Sequence, residues 1–328
     1  MTNSISKDIL VYYQILSYQL ENLQRLNKEF HVITLPDPSH DTSQILQQAN
    51  VILAPLGYYF GKEKIDASPC LKIIGSNTTG HPHIDVDYAD KKGIRVVTLK
   101  DQHDFLKTIT STAELTWGLI LAVTRNIFPA YRDVLEGNWN RRPFGGSFML
   151  SKKKLGVAGY GRLGKIVASY GSCFGMKVMY YDPFVHHGAA DVVKAHSLEQ
   201  LVSSTDIVTI HIPHESETEG LFSEKIFAAF QRGSFLINTS RGELVDQNAL
   251  VNCLNAGILA GAAVDVMEGE FSPGFDKDIR QNLLWQYAQN NDNLIITPHI
   301  GGSTIDAWRL TEAQTINRIL NVMVDSNN

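Results

Sequence analysis

An apolar run ending in Val157-Ala158 breaks at once into Gly159-Tyr160-Gly161-Arg162-Leu163-Gly164, and a helical pattern opens at Arg162. A strand that turns on glycines into a helix leaves few folds open. The turn needs a backbone that side chains resist, and the helix must close tightly on the strand. Small-residue loops are common, so a structural glycine turn would read the same if it stood alone. Here the next apolar segment ends in Asp182, where a carboxylate would hold an adenosine ribose. On that reading Gly159 makes the tight turn and Gly161 lets the backbone reach a pyrophosphate. Gly164 lets helix and strand pack, and the helix N-terminus offers N–H groups and a positive dipole end to the phosphates.

The pattern around this loop repeats one theme. Residues 155–159, 177–182, 206–212, 234–240, 261–266 and 293–297 read as six strands, and helical stretches fall at 162–174, 198–203, 224–230 and 247–256. Six strands with helical crossovers match a complete doubly wound nucleotide-binding sheet. The first hundred residues alternate likewise, with strands at 8–13, 30–35, 51–55, 71–75 and 94–98 and helices at 17–28 and 42–49. Two parallel-sheet α/β domains follow from this alternation. A helix over 110–125 leads into the second sheet, 136–151 reads as a Gly/Pro loop, and 303–324 reads as a last helix able to return to the first domain.

The 328 residues suffice for two domains, and 44% apolar with 19% charged residues is ordinary for a globular chain. A net charge of −5 points to neither a nucleic acid nor a membrane surface as partner. Cys70, Cys173 and Cys253 are widely spaced, without metal-ligand spacing, so the expectation is buried fillers, no metal and a reducing cytoplasm. No stretch reads as a signal peptide or a membrane span.

Chemistry-bearing residues gather where strands end. Arg241 follows the strand ending Asn238-Thr239-Ser240, at the edge where open α/β sheets bind ligands. A guanidinium there can fork onto a carboxylate, although an exposed turn arginine would look the same. His299 follows the last strand, and its imidazole suits proton transfer to a carbonyl oxygen. A lone histidine among eleven is more often structural. Glu270 or Glu268 could pair with it, favouring the imidazolium and fixing its tautomer; the residues alone do not choose between them. Asp265 is either a cofactor ligand or a turn residue.

The chain resembles the D-isomer-specific 2-hydroxyacid dehydrogenases, the group of D-3-phosphoglycerate, glycerate and D-lactate dehydrogenases. The resemblance rests on several motifs in order: Gly80…Ile84-Asp85…Gly93-Ile94, Ala113-Glu114-Leu115 and the glycine loop. After these come Phe174-Gly175-Met176-Lys177-Val178, Tyr181-Asp182-Pro183, Asn238-Thr239-Ser240-Arg241-Gly242, Ala263-Val264-Asp265-Val266 and Thr297-Pro298-His299-Ile300-Gly301-Gly302. It implies a Rossmann nucleotide domain, about residues 103–299, inserted in a flavodoxin-like substrate domain of residues 1–102 and 300–328. It implies NAD as cofactor, a small 2-hydroxy or 2-oxo acid as substrate, and a homodimer involving the 110–125 helix and the Trp139 region. Arg241, Glu270 and His299 become the catalytic trio, because the family's glutamate lies five residues after the strand aspartate, here Asp265.

Cofactor contacts are implied for Gly159, Gly161, Arg162, Leu163, Gly164, Asp182, Ile212, Pro213, Thr239, Ser240, Arg241, Asp265, His299, Gly301 and Gly302. The loop Asn77-Thr78-Thr79-Gly80 is implied to offer backbone N–H groups to the substrate carboxylate, alongside Arg241. Two departures bear on the substrate: Phe271-Ser272 stand before Pro273 where the family places proline directly after the glutamate, and His81-Pro82-His83 is atypical. The alternative from another class is an NAD-sensing interaction module of the corepressor type with little turnover. Formate oxidation is disfavoured, because formate dehydrogenases carry glutamine where Glu270 stands.

Overall fold

The computed structural model describes residues 7–81, 83–272 and 274–325; Pro82 and Pro273, noted above, lie outside it. Two compact units are present, residues 1–109 with 304–328, and residues 110–303.

The first unit holds a parallel sheet of β1 (Ile9–Tyr13), β2 (His31–Leu35), β3 (Val51–Leu53), β4 (Ile73–Gly75) and β5 (Arg95–Val97) in the order β2-β1-β3-β4-β5. That is the flavodoxin-like order. Successive residues of a strand point to opposite faces, and in β1 both sets are buried. Val11 and Tyr13 pack with Ile52 and Ile74 on one face, while Leu10 and Tyr12 pack with Val51, Leu53 and Ile73 on the other. Burial on both faces is why these strands read as apolar runs rather than alternating ones. The final helix, Ile305–Asp325, places Ile316 and Ile319 in that second cluster. Its Glu312 is 1% exposed and accepts hydrogen bonds from Gln19 N (2.8 Å) and Asn22 Nδ2 (2.8 Å), which satisfy a carboxyl that burial pushes above its usual range.

The second unit holds seven parallel strands: β6 (Lys154–Ala158), β7 (Lys177–Tyr181), β8 (Val192–Lys194), β9 (Ile207–Ile210), β10 (Ser234–Asn238), β11 (Leu259–Val264) and β12 (Leu294–Ile296). Their order is β12-β11-β10-β9-β6-β7-β8, so the chain leaves β6 in one direction and later returns to its other side at β9. The expected count was six. The seventh strand, β8, is a three-residue edge segment with exposed Val193, too short for a periodic signal. The helix Ser111–Thr124 is apolar nearly all round and buries Ala113, Trp117, Ile120 and Val123 against this sheet. Short helices at Phe275–Asp278 and Leu283–Ala288 fill the long stretch before β12.

The cysteine expectation is corrected. Cys253 is buried in the helix Gln247–Asn255, but Cys70 and Cys173 are exposed. One lies in the approach to β4 and the other ends the helix Arg162–Cys173, where the chain turns away from the core. Among the described residues no helix is long and apolar enough to cross a membrane.

Candidate active site

Register decides where the motifs meet. Tyr181 pairs with Ala158, Ala158 with Ile210, Ile210 with Asn238, Asn238 with Val264, and Val264 with Ile296. Because all seven strands run the same way, the residues just after this row share one sheet edge: Gly159, Asp182, His211, Thr239, Asp265 and Thr297. Arg241, Glu270 and His299 all follow strands that end at that edge.

The glycine loop is built as its chemistry requires. Gly159 has φ +89°, and a Cβ there would sit 2.5 Å from His211 O. A Cβ on Gly164 would sit 2.0 Å from Gly159 O, so only glycine lets the helix close on the turn. Gly161 is different: its Cβ would meet nothing within 4 Å. Protein packing does not call for glycine there, whereas a pyrophosphate on the backbone would. Gly161 is also the N-cap of the helix Arg162–Cys173 and supplies no side-chain cap, and a helix N-terminus of this kind favours an incoming anion. These residues fit a dinucleotide.

Asp182 ends β7 with only 9% of its surface exposed. Its Oδ2 accepts from Tyr160 N (2.8 Å), and its Oδ1 from Phe184 N (2.8 Å) and Val185 N (3.1 Å). The carboxylate therefore ties the glycine loop to the turn after β7, a task that sequence reading had not assigned to it. Tyr160, between the glycines, stacks on Tyr180 at 4.1 Å. His211 bonds Thr209 Oγ1 through Nε2 (2.9 Å), and burial pushes its ring down to about 3, so it stays uncharged at neutral pH.

After β10, Asn238 clamps the turn from both sides: Ser240 N donates to its Oδ1 (3.0 Å) and its Nδ2 donates to Arg241 O (2.8 Å). Ser240 Oγ donates to Ile212 O, joining the ends of β9 and β10, and Thr239 Oγ1 meets Thr116 Oγ1 at 2.8 Å. Gly242 is the least forgiving position, since a Cβ would lie 2.0 Å from Met267 C. That close approach explains a glycine whose role the motif alone did not reveal. Arg241 is partly buried, with Nη1 on Ser240 O at 2.6 Å.

The last turn carries the histidine. His299 has φ +51°, a left-handed conformation uncommon outside glycine. Its N–H donates to Asp265 O (2.8 Å) and Thr297 O (3.0 Å), which holds it there. Asp265 is 1% exposed: Oδ1 accepts from Thr297 Oγ1 (2.5 Å) and Ile300 N (2.9 Å), and Oδ2 from Gly301 N (2.8 Å). Asp265 thus shapes the 297–301 loop. His299 Nδ1 lies 2.7 Å from Glu270 Oε1, while Glu268 is exposed. Phe271 packs its ring 5.5 Å from the His299 ring. A cavity of about 420 Å³, lined by Met267, Glu270, Phe275, Trp285 and Pro298, lies beside the pair.

In the first unit the loop 77–80 follows β4. Among the described residues, no acceptor bonds the backbone N–H groups of residues 77 to 81. Consecutive unpaired N–H groups form a cradle suited to an anion.

Residues 117–301 match the D-isomer specific 2-hydroxyacid dehydrogenase, NAD binding domain, which is more than half of the chain. The chain belongs to the D-isomer-specific 2-hydroxyacid dehydrogenase family. It is 34% identical over 292 residues to a glyoxylate reductase of Thermofilum pendens, covering 87% of this chain and 81% of that protein. It is 35% identical over 252 residues to the D-3-phosphoglycerate dehydrogenase of Bacillus subtilis, covering 76% of this chain but only 45% of that enzyme. A D-lactate dehydrogenase from Aquifex aeolicus, solved with NAD and lactic acid, superposes with a TM-score of 0.79 at 27% identity, covering 97% of this chain and 95% of that one. The protein is an NAD-dependent member of this dehydrogenase family, and it interconverts a hydroxy acid and an oxo acid.

Proposed function

We propose that Arg241, Glu270 and His299 carry the reaction on a D-2-hydroxy acid and its 2-oxo acid. The observation that carries this is the 2.7 Å contact of His299 Nδ1 with Glu270 Oε1, which joins the segments after β12 and β11, with the Arg241 turn following β10, the strand beside β11. Glu270 holds Nδ1, so Nε2 is left to exchange a proton with the substrate oxygen, and the carboxylate stabilises the charge on the imidazolium. Arg241 forks onto the substrate carboxylate and polarises its carbonyl. Bound NAD supplies the hydride chemistry. The glycine loop and the uncapped helix end take its phosphates, and Asp182, with acceptor capacity left on its oxygens, takes the ribose hydroxyls. Ile212, Pro213, Thr239, Ser240 and the 299–302 turn flank it along the same edge. Loop 77–80 offers its unpaired N–H groups to the substrate carboxylate.

A screen of 2-oxo acids, with and without phosphate, followed by NADH absorbance, tests the reading. Glu270→Gln is expected to lower reduction by roughly 10–100-fold, the worth of a hydrogen bond to a charged group. Glu268→Gln should leave it near wild type. The reverse pattern would move the assignment to Glu268, and negligible turnover of every 2-oxo acid with tight NADH binding would favour the interaction module.

The protein is further proposed to work as a homodimer. The helix Ile127–Leu135 buries none of its residues; Tyr131 is 62% and Leu135 68% exposed, and nearby Trp139 is 91% exposed. Such an apolar face calls for a partner surface. Light scattering should give the mass of two chains for wild type, and Tyr131→Asp with Leu135→Asp should shift it toward one. A wild-type monomer at micromolar concentration would refute the proposal.

A further inference from the structure

Behind the loop 77–80 runs a chain of polar contacts for which substrate binding itself has no use. His83 Nε2 lies 3.2 Å from Ser76 Oγ, Ser76 Oγ lies 2.9 Å from Thr78 Oγ1, and Thr78 Oγ1 donates to Gly80 O at 2.6 Å. Ser76 is 2% exposed and His83 6%. Proton counting gives the chain a direction. Each hydroxyl owns one hydrogen. A carbonyl accepts only, so the Thr78 hydrogen goes to Gly80 O. The Ser76–Thr78 contact then needs the Ser76 hydrogen, which leaves Ser76 accepting from His83 Nε2–H.

A ring that donates from Nε2 and is neutral has no hydrogen on Nδ1. Among the described residues, Nδ1 is buried with no hydrogen-bond partner. Burial pushes the ring down to about 4 against an opposing pull from the Ala54 backbone, so it is neutral at ordinary pH. The imidazole itself stands on a firm frame. Phe60 N donates to His83 O (2.8 Å) and Asp85 N to Phe60 O (3.1 Å). The loop has little else to hold it: Thr78 O accepts from Leu99 N (2.9 Å) and His81 O from Ile84 N (3.1 Å).

We propose that His83 is a positioning residue: through Ser76 and Thr78 it fixes the loop 77–80 with its unpaired N–H groups turned out to receive the substrate carboxylate. The inference rests on the reading above that this loop binds the substrate. It explains why a histidine is buried at a position where its charge is unwelcome. A neutral donor is needed at Ser76, and the buried ring supplies one. Loop order that is set before the substrate arrives lowers the cost of binding it. The effect should therefore appear in KM rather than in kcat.

The test compares wild type with His83→Leu, His83→Gln and Ser76→Ala, measuring KM and kcat for the best 2-oxo acid, NADH Kd, and amide hydrogen exchange of residues 76–81. Leu removes the donor, whereas Gln places an amide N–H near the position of Nε2. His83→Leu and Ser76→Ala are each expected to raise KM about 10-fold, with kcat and NADH Kd changed less than about twofold, and to speed exchange in the loop. The double variant should add little, because both cut one chain. Gln should restore most of KM and of the exchange protection. Unchanged exchange and KM in His83→Leu would overturn the proposal, as would equal losses in kcat and NADH binding, or a Gln variant no better than Leu. If wild type reduced no 2-oxo acid, the functional reading would fall, while the exchange data would still judge whether His83 orders the loop.

Discussion

Replacing His299 with Ala lowers turnover of the 2-oxo acid by ~10²–10⁴-fold, the usual worth of a positioned acid–base group. NADH affinity changes far less. The glycine loop is set by its own contacts with β6, β7 and the His211 carbonyl, none of which passes through the His299 ring. The ring is also well placed to be the proton donor: Glu270 occupies Nδ1 and a third of the side chain, 33%, remains accessible. Backbone strain complicates the Ala variant, because residue 299 sits at φ +51°. An Ala in that conformation costs about 1–2 kcal/mol, whereas Asn tolerates it. His299→Asn therefore serves as the control. It should lose turnover as severely as Ala while keeping a melting temperature nearer wild type. An Ala or Asn variant that kept near-normal turnover would remove His299 from the mechanism.

The second large effect concerns the choice between cofactors. A carboxylate at the end of β7 can accept from both ribose hydroxyls of NAD, and it would repel a 2′-phosphate. The wild-type protein is expected to prefer NADH to NADPH clearly in kcat/KM. Asp182→Ser should narrow that gap by roughly 1–3 kcal/mol, the scale of a buried hydrogen-bonding site. The structure adds a second consequence. Asp182 accepts from three backbone N–H groups, of Tyr160, Phe184 and Val185, so Ser also leaves donors unpaired and loosens the glycine loop. Asp182→Asn separates the two effects, since its amide oxygen keeps an acceptor while the charge is gone. The Asn variant should approach NADPH tolerance with a smaller loss of stability than Ser. Wild-type protein using NADPH as readily as NADH would take Asp182 out of this role.

Much of this architecture is written locally. The strands of both sheets are legible because a parallel strand buried on both faces must be apolar at successive positions, as Leu10 to Tyr13 show. The glycine loop is legible because steric conflict at Gly159 and Gly164 is severe enough to exclude other residues. Local pattern failed where local energy was small. The strand Val192–Lys194 and the helices Phe275–Asp278 and Leu283–Ala288 are too short for periodicity to show.

What the amino-acid sequence determined by itself was the alternation of elements, the turn chemistry of the nucleotide loop and the residue types able to bind an acid and move a proton. The residues read one by one left Glu268 and Glu270 open, and the resemblance favoured Glu270; the 2.7 Å contact that joins Glu270 to His299 comes from tertiary structure, in a turn where Gly242 packs against Met267. Tertiary structure alone gave Asp265 to the 297–301 loop and Asp182 to the backbone of Tyr160. The physical reason is common to all three. A carboxylate's partner is set by distances of about 3 Å, and those distances arise from strand register and turn geometry between segments far apart in the chain, whereas a sequence pattern senses only the few residues that share a turn or a strand.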